Sequence, residues 1–348
     1  MEPELKFRLL IVCTAIAILA SISIDSAQAR TFKIATISPD GLSWMKNLRA
    51  GAKEIEERTD GRVKFKIYPG GVQGDDYTVL RKMRIGQLHG GAVAASTLTR
   101  FYPDLQIYNL PLTFRSLAEV DYVRERMDQQ IIKGLDDGGI VSFSLIETGF
   151  AYILTSRRVN DLDDLKNMKA WVPDGDPVSA RLIQSFGISP IPLNITDVLA
   201  GLQTGLIDAV AVPPIVALAL QWHNHVSYVV DLPLMYIYSM MMLDKTAFEK
   251  LSDADQLVVR DVMNRVFDQV DDENRTNNKA AFQALLNQGI ELIEPVDDQV
   301  EAWRAQARIS IEALVDAGQI SPESLELLRH YLAQTRQGDH DKSSASAE

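Results

Sequence analysis

Between residues 252 and about 286 the chain contains neither glycine nor proline, and this stretch limits the possible folds more than any other. A run without breakers predicts one continuous α-helix, and at 1.5 Å per residue it would be roughly 50 Å long. Ser252 is placed to cap the first turn, where Asp253 and Asp255 meet the positive end of the helix dipole. Such a helix passes along more than one unit of ordinary domain size, so the other residues must supply two packing partners for it. Asp271-Asp272-Glu273-Asn274 inside it is polar throughout. A water-facing run with room for a bend is expected there.

The segments ahead of the helix alternate between strand and helix periodicity. Residues 32–36 read as a strand, followed by a turn at Ser38-Pro39-Asp40-Gly41 and a helix to Glu57 with Met45, Leu48, Ala52 and Ile55 at helical spacing. Thr59-Asp60-Gly61 ends that helix, and residues 63–68 alternate like a strand. This β-α-β order predicts a crossover and a mostly parallel sheet. Further elements are expected as a helix at 77–85, strands at 90–95 and 140–146, a strand at 169–172, helices at 177–186 and 198–203, and strands at 207–212 and 236–243. The resulting expectation is an α/β protein of two lobes. Residues 30–148 with 236–276 form the first, residues 149–235 with 277–336 the second, and residues 337–348 a disordered tail.

Residues 1–29 are set apart by a weakly basic start at Lys6 and Arg8, an apolar run over residues 9–20, and the small-x-small sequence Ala27-Gln28-Ala29. That pattern predicts a cleaved export signal, hence a periplasmic mature chain, with an uncleaved membrane anchor as the alternative. Its removal takes away the sole cysteine, Cys13, and with it any disulfide or thiol chemistry. The formal charge of −12 leaves no basic face of the kind nucleic-acid binding needs. The glycine-rich turn before Gln73, Asp75 and Asp76 invites a phosphate-loop reading, but the Lys-Ser/Thr ending is missing. His223 and His225 lie two apart with no third ligand at a helpful spacing, so they are expected to be structural or solvated. No nucleophile elbow or Ser-His-Asp set occurs. Neither an enzyme nor a metal or organic cofactor is expected.

Several separated stretches carry a resemblance. They include Tyr68-Pro69-Gly70-Gly71-Val72-Gln73-Gly74-Asp75-Asp76, the corners Phe101-Tyr102-Pro103 and Leu110-Pro111, and Met168-Lys169-Ala170-Trp171-Val172-Pro173. Ser189-Pro190-Ile191-Pro192-Leu193 and Leu202-Gln203-Thr204-Gly205-Leu206-Ile207-Asp208 follow in order. In sequence and spacing the set resembles the DctP-type solute-binding proteins of TRAP transporters. The resemblance implies a two-lobed periplasmic solute-binding protein fold, with a ligand cleft between the lobes and the long C-terminal helix spanning both. It also implies an extracytoplasmic receptor, expected as a monomer, that delivers a small organic solute to TRAP membrane permease subunits. A periplasmic ligand-sensing or an efflux or resistance accessory protein on the same fold is the alternative.

The same resemblance places an arginine that grips the substrate carboxylate where this chain has Trp171. A supporting arginine usually follows the lobe-crossing glycine; here Gly149 is followed by Phe150-Ala151-Tyr152. The usual asparagine falls at or near Val212. Tryptophan supplies an apolar face and one N–H donor but no charge and no bidentate grip. Trp171, Phe150 and Tyr152 are therefore candidates for an aromatic wall suited to an apolar or cationic ligand. Trp171 packing in the second lobe is the competing reading, and one of Phe150 and Tyr152 is expected in the core. Asp174 would favour a cation if it faced the cleft. Gln73, Asp75, Ser96 and Thr97 are the first-lobe candidates. Replacing Trp171 is expected to abolish binding and spare the fold.

Overall fold

The computed structural model describes residues 29–159 and 161–345; the expected export signal lies outside them but for Ala29. Among these residues nine strands form one sheet, running β1 (Arg30–Ala35), β2 (Val63–Tyr68), β3 (Gly90–Ala94), β4 (Ile140–Thr155), β5 (Lys169–Pro173), β6 (Ser189–Leu193), β7 (Ala209–Val212), β8 (Tyr228–Asp244) and β9 (Glu291–Ile293). Their spatial order is β2-β1-β3-β8-β4-β7-β5-β6, with β9 added beside β8. Two parallel trios, β2-β1-β3 and β7-β5-β6, sit at the ends. The long strands β4 and β8 pair antiparallel with each other and join the two trios. The β-α-β pattern accounts for the trios; what it does not reveal is that β4 and β8 each run through both lobes.

Among the described residues, ten helices of α type surround the sheet: α1 (Ser43–Arg58), α2 (Asp76–Arg84), α3 (Leu117–Asp137), α4 (Pro177–Ser185), α5 (Val198–Thr204), α6 (Pro214–Ala219), α7 (Lys245–Phe248), α8 (Asp253–Asn287), α9 (Asp297–Asp316) and α10 (Pro322–Ala345). None of the described helices is long and apolar enough to cross a membrane. The breaker-free stretch is α8, capped by Ser252, whose hydroxyl accepts from Asp255 N–H. Its first half buries Val259, Val262, Met263, Val266 and Phe267 in a core with β1 and α1. Its second half places Leu285, Phe282 and Leu286 in a different core, with Trp171, Val198 and Trp222. One helix thus ties two hydrophobic centres together.

Where α8 crosses between lobes, polar residues replace apolar ones and grip the strand beneath. Asn274 and Asn278 donate to the carbonyls of Glu147 and Thr148 at 2.7 and 2.6 Å. Asp271 accepts from Arg124 and from the Glu147 amide. The polar run expected to face water is therefore a docking seam. Beneath it β4 changes register between Glu147 and Gly149, and Gly149 has φ +109°. A Cβ there would meet Asn278 Nδ2 at 2.6 Å, so both conformation and close approach require glycine.

Residues 322–336, assigned to the second lobe from sequence, dock on the first. Leu325, Leu328 and Leu332 join the core that holds Val120, Val123 and Met127 of α3. Asp104 accepts from the hydroxyls of Ser321 and Ser324, and Arg336 pairs with Glu119. The helix also continues to Ala345, through residues expected to be disordered.

Candidate functional site

The C-terminal ends of β1, β3, β5 and β7 converge on a cavity between the lobes, which is where open α/β sheets collect ligands. The cavity measures about 340 Å³. Its first-lobe wall is formed by residues just beyond β1, the start of α1 at Trp44, the start of α2 at Asp75, Asp76 and Tyr77, and the segment after β3. The second-lobe wall comes from the end of β5 with Asp174 and Asp176, and from Val212 and Pro213. The crossing strands supply a floor of Ile146, Thr148, Ile237 and Ser239, with Thr148 and Ser239 joined through their hydroxyls at 2.8 Å.

The lips of the cleft come close to each other. A Cβ on Gly175 of the second lobe would lie 3.8 Å from the Tyr77 ring of the first. A Cβ on Gly71 would lie 3.3 Å from Thr196 Cγ2. These edges are the ones that hinge closure of a two-lobed protein brings together.

Of the sequence-derived candidates, Trp171, Asp174, Asp75, Ser96, Thr97 and Val212 are brought together on the cavity wall. Phe150, Tyr152 and Gln73 are not among its lining residues. Phe150 stacks edge-on against Tyr236 at 5.8 Å, and Tyr152 packs on Phe282 of α8 at 4.9 Å. The register change at Glu147–Gly149 separates these two rings from Ile146 and Thr148, which do reach the cavity. Gln73 instead accepts from Lys82 Nζ at 2.8 Å. Arg100 lies over the Phe101 ring, and His223 contacts the Ala217 carbonyl.

Trp171 packs in the second core and also borders the cavity. It is 7% exposed, its ring meets Trp222 edge-on at 5.3 Å, and its indole N–H donates to the Leu193 carbonyl at 2.9 Å. The remaining face lines the cavity and, with Leu182, Ile183, Ala211 and Met235, a smaller apolar chamber of about 70 Å³ beside it.

The polar groups of the wall are mostly acidic. Asp75 caps α2 by accepting from Thr78 N–H at 2.8 Å. Asp176 caps α4, accepting from Val178 and Ser179 N–H at 3.1 and 3.0 Å and from the Ser179 hydroxyl. Asp76 accepts from Ala94 N–H at 2.9 Å through Oδ2, while its Oδ1 is buried without a partner. Burial pushes the Asp76 carboxyl up to about 7, with the Asp75 charge adding to the rise against the pull of the Ala94 amide. Burial and the same carboxylates, Asp176 foremost, also raise the Tyr77 phenol, which stays neutral. Gln106 Nε2 and Asn109 Oδ1 on the same wall are likewise buried without partners. Among the described residues the cavity is lined by four aspartates and by no lysine, arginine or histidine.

Trp44, Asp76, Tyr77, Gln106 and Asn109 were not among the sequence-derived candidates. Asp76 was legible in part, as the second carboxylate after the glycine-rich turn. Gln106 and Asn109 sit in a short 3₁₀ turn whose apolar neighbours gave no cue.

The sequence matches the family described as bacterial extracellular solute-binding protein, family 7 (DctP), over residues 34–315. A solute-binding protein of Verminephrobacter eiseniae is 26% identical over 59% of this chain, a match spanning 62% of that protein. The sialic acid-binding periplasmic protein SiaP of Vibrio cholerae is 21% identical over 77% of this chain and 84% of its own. Among solved structures, the sugar acid binding protein DctPAm of Advenella mimigardefordensis, in complex with galactonate, superimposes with a TM-score of 0.80 at 19% identity, covering 88% of this chain and 99% of that one. A TRAP periplasmic solute binding protein of Desulfovibrio salexigens with bound orotic acid gives 0.77 at 19% identity, over 87% and 99%. At these identities the structural likeness speaks for the fold.

Proposed function

The chain belongs to family 7 of the bacterial extracellular solute-binding proteins, and from that membership we propose that it captures a small organic solute between its lobes and delivers it to a TRAP-type membrane permease. It is a binding protein and not an enzyme. Residues 1–29 serve, on this reading, as the cleaved signal that takes it to the periplasm.

The observation that carries the reading is the interlobe cleft, a cavity of about 340 Å³ at the strand ends whose lips come close at Tyr77–Gly175 and Gly71–Thr196. Closure of the lobes on a solute would give an outline that a membrane partner can select. The pocket is, on this reading, atypical: the family resemblance puts a carboxylate-gripping arginine at the position of Trp171, and among the described residues no cation lines the wall.

Uptake into proteoliposomes containing TRAP permease subunits tests the proposal. Accumulation of the bound solute should require this protein and scale with its loaded fraction. Tight solute binding with no dependence of uptake on the protein would move it to the sensing alternative.

A further inference from the structure

We propose that the solute is a protonated amine with an apolar body and an uncharged oxygen, held with its ammonium group against Asp76. The assignment rests on the receptor reading above and names the chemistry of its cleft.

The usual anion sites of such a cleft are already occupied by the protein itself. Helix N-termini bind anions through free N–H groups and the positive dipole end. Here α2 and α4 both begin at the cavity, and the side chains of Asp75 and Asp176 take their N–H groups. A carboxylate entering the cavity would meet Asp75, Asp76, Asp174 and Asp176 with no lining cation to offset them.

The orphan atoms state what is missing. Asp76 is 8% exposed and Asn109 7%, and each has an Oδ1 acceptor buried with no donor. An ammonium group brings three donors and a positive charge to such acceptors. Gln106, 5% exposed, holds one unpaired donor at Nε2, which a hydroxyl or carbonyl oxygen on the solute would satisfy. The aromatic faces of Trp44, Tyr77 and Trp171, together with aliphatic side chains such as Ile195 and Leu220, fit an apolar body and favour a cation over a neutral head.

The arrangement also fixes a pH dependence. Asp76, pushed up to about 7 by burial, must lose its proton to pair with the amine. The groups facing the same volume are Asp75 and Tyr77 on its own element and Asp174 and Asp176 across the cleft. Amine binding therefore tightens as pH rises through Asp76's titration.

Three probes with one body and different heads separate the possibilities: 2-amino-1-phenylethanol, 1-phenyl-1,2-ethanediol and mandelate. Isothermal titration of the purified protein should show the amine binding most tightly and mandelate not at all. In Asp76→Asn the amide oxygen can still accept from Ala94 N–H, so the wall is kept while the charge is removed. Amine affinity should fall at least about 30-fold, with the diol unchanged. Equal losses for amine and diol would overturn the placement at Asp76. Binding of mandelate, or of sugar acids, in preference to every amine in a wider panel overturns the amine assignment and leaves the receptor reading standing. Silence toward both charge classes removes both.

Discussion

Replacing Asp76 by asparagine should stabilise the unliganded protein at alkaline pH and barely alter it in acid. The carboxyl has an ordinary value of 3.8 and is pushed up to about 7 in the fold, because burial penalises the charged form more than the Ala94 amide favours it. Above both values the folded chain must keep this group ionised in poor solvation, at a cost of about 4 kcal/mol. The sign follows from proton binding. From about pH 4 to about pH 7 the unfolded chain has released this proton and the folded chain retains it, so stability falls as pH rises through that window and levels off above it. Asparagine does not titrate. The stability of the variant relative to wild type should therefore increase by about 3 kcal/mol between about pH 4.5 and about pH 8. Urea unfolding of both proteins across this range reads the difference directly, since every other carboxylate is common to the two. Parallel stability profiles would refute the reasoning, and would place Asp76 in contact with water.

Trp171→Ala should destabilise the fold by about 3–5 kcal/mol, as for other buried tryptophans, in addition to removing solute binding; this replaces the sequence-based expectation that the fold is spared. Trp171→Phe should lose only about 1 kcal/mol, because the Leu193 carbonyl keeps the Asp174 amide as a donor. Denaturant midpoints check both, and an alanine variant as stable as wild type would show that the ring contributes little to the second core. Glu147→Ala at the lobe crossing should cost about 2–3 kcal/mol, since Glu147 is 1% exposed and accepts from Arg275 and Tyr236. Glu147→Gln should recover most of that loss. Equal losses for the two, measured the same way, would mean that side-chain shape rather than the Arg275 contact matters there.

How much of this was readable beforehand depends on whether the signal was local. α8 was legible because length without breakers and a serine cap are local properties, and its observed limits of Asp253–Asn287 fall within a residue or two of the expected ones. The parallel trios followed from β-α-β order for the same reason. The lengths of β4 and β8 were not legible, since a strand that serves two lobes looks locally like two short ones broken at Gly149. The placement of residues 322–336 depended on contacts such as Asp104 with Ser324, more than two hundred positions apart in sequence. At the site, residues in family-like motifs were found and residues without one were missed. Asn109 and Gln106 signal themselves only through hydrogen bonds they fail to make.

The DctP resemblance implies an arginine at the position of Trp171, and the surroundings of that position bear on the difference. An arginine there would forfeit the edge-on contact with Trp222 and the bond to the Leu193 carbonyl, both of which brace β5 against β6 and the second core. Its guanidinium would share a cavity wall with Asp174 and Asp176. Acid recognition would require the helix caps at Asp75 and Asp176 to be given up as well, since those side chains hold the N–H groups that an acid could use. The tryptophan and the aspartates therefore form one consistent set, each removing an option for an anionic solute. On the amine proposal these residues act together, with Trp171 supplying an apolar face and the four aspartates a negative wall.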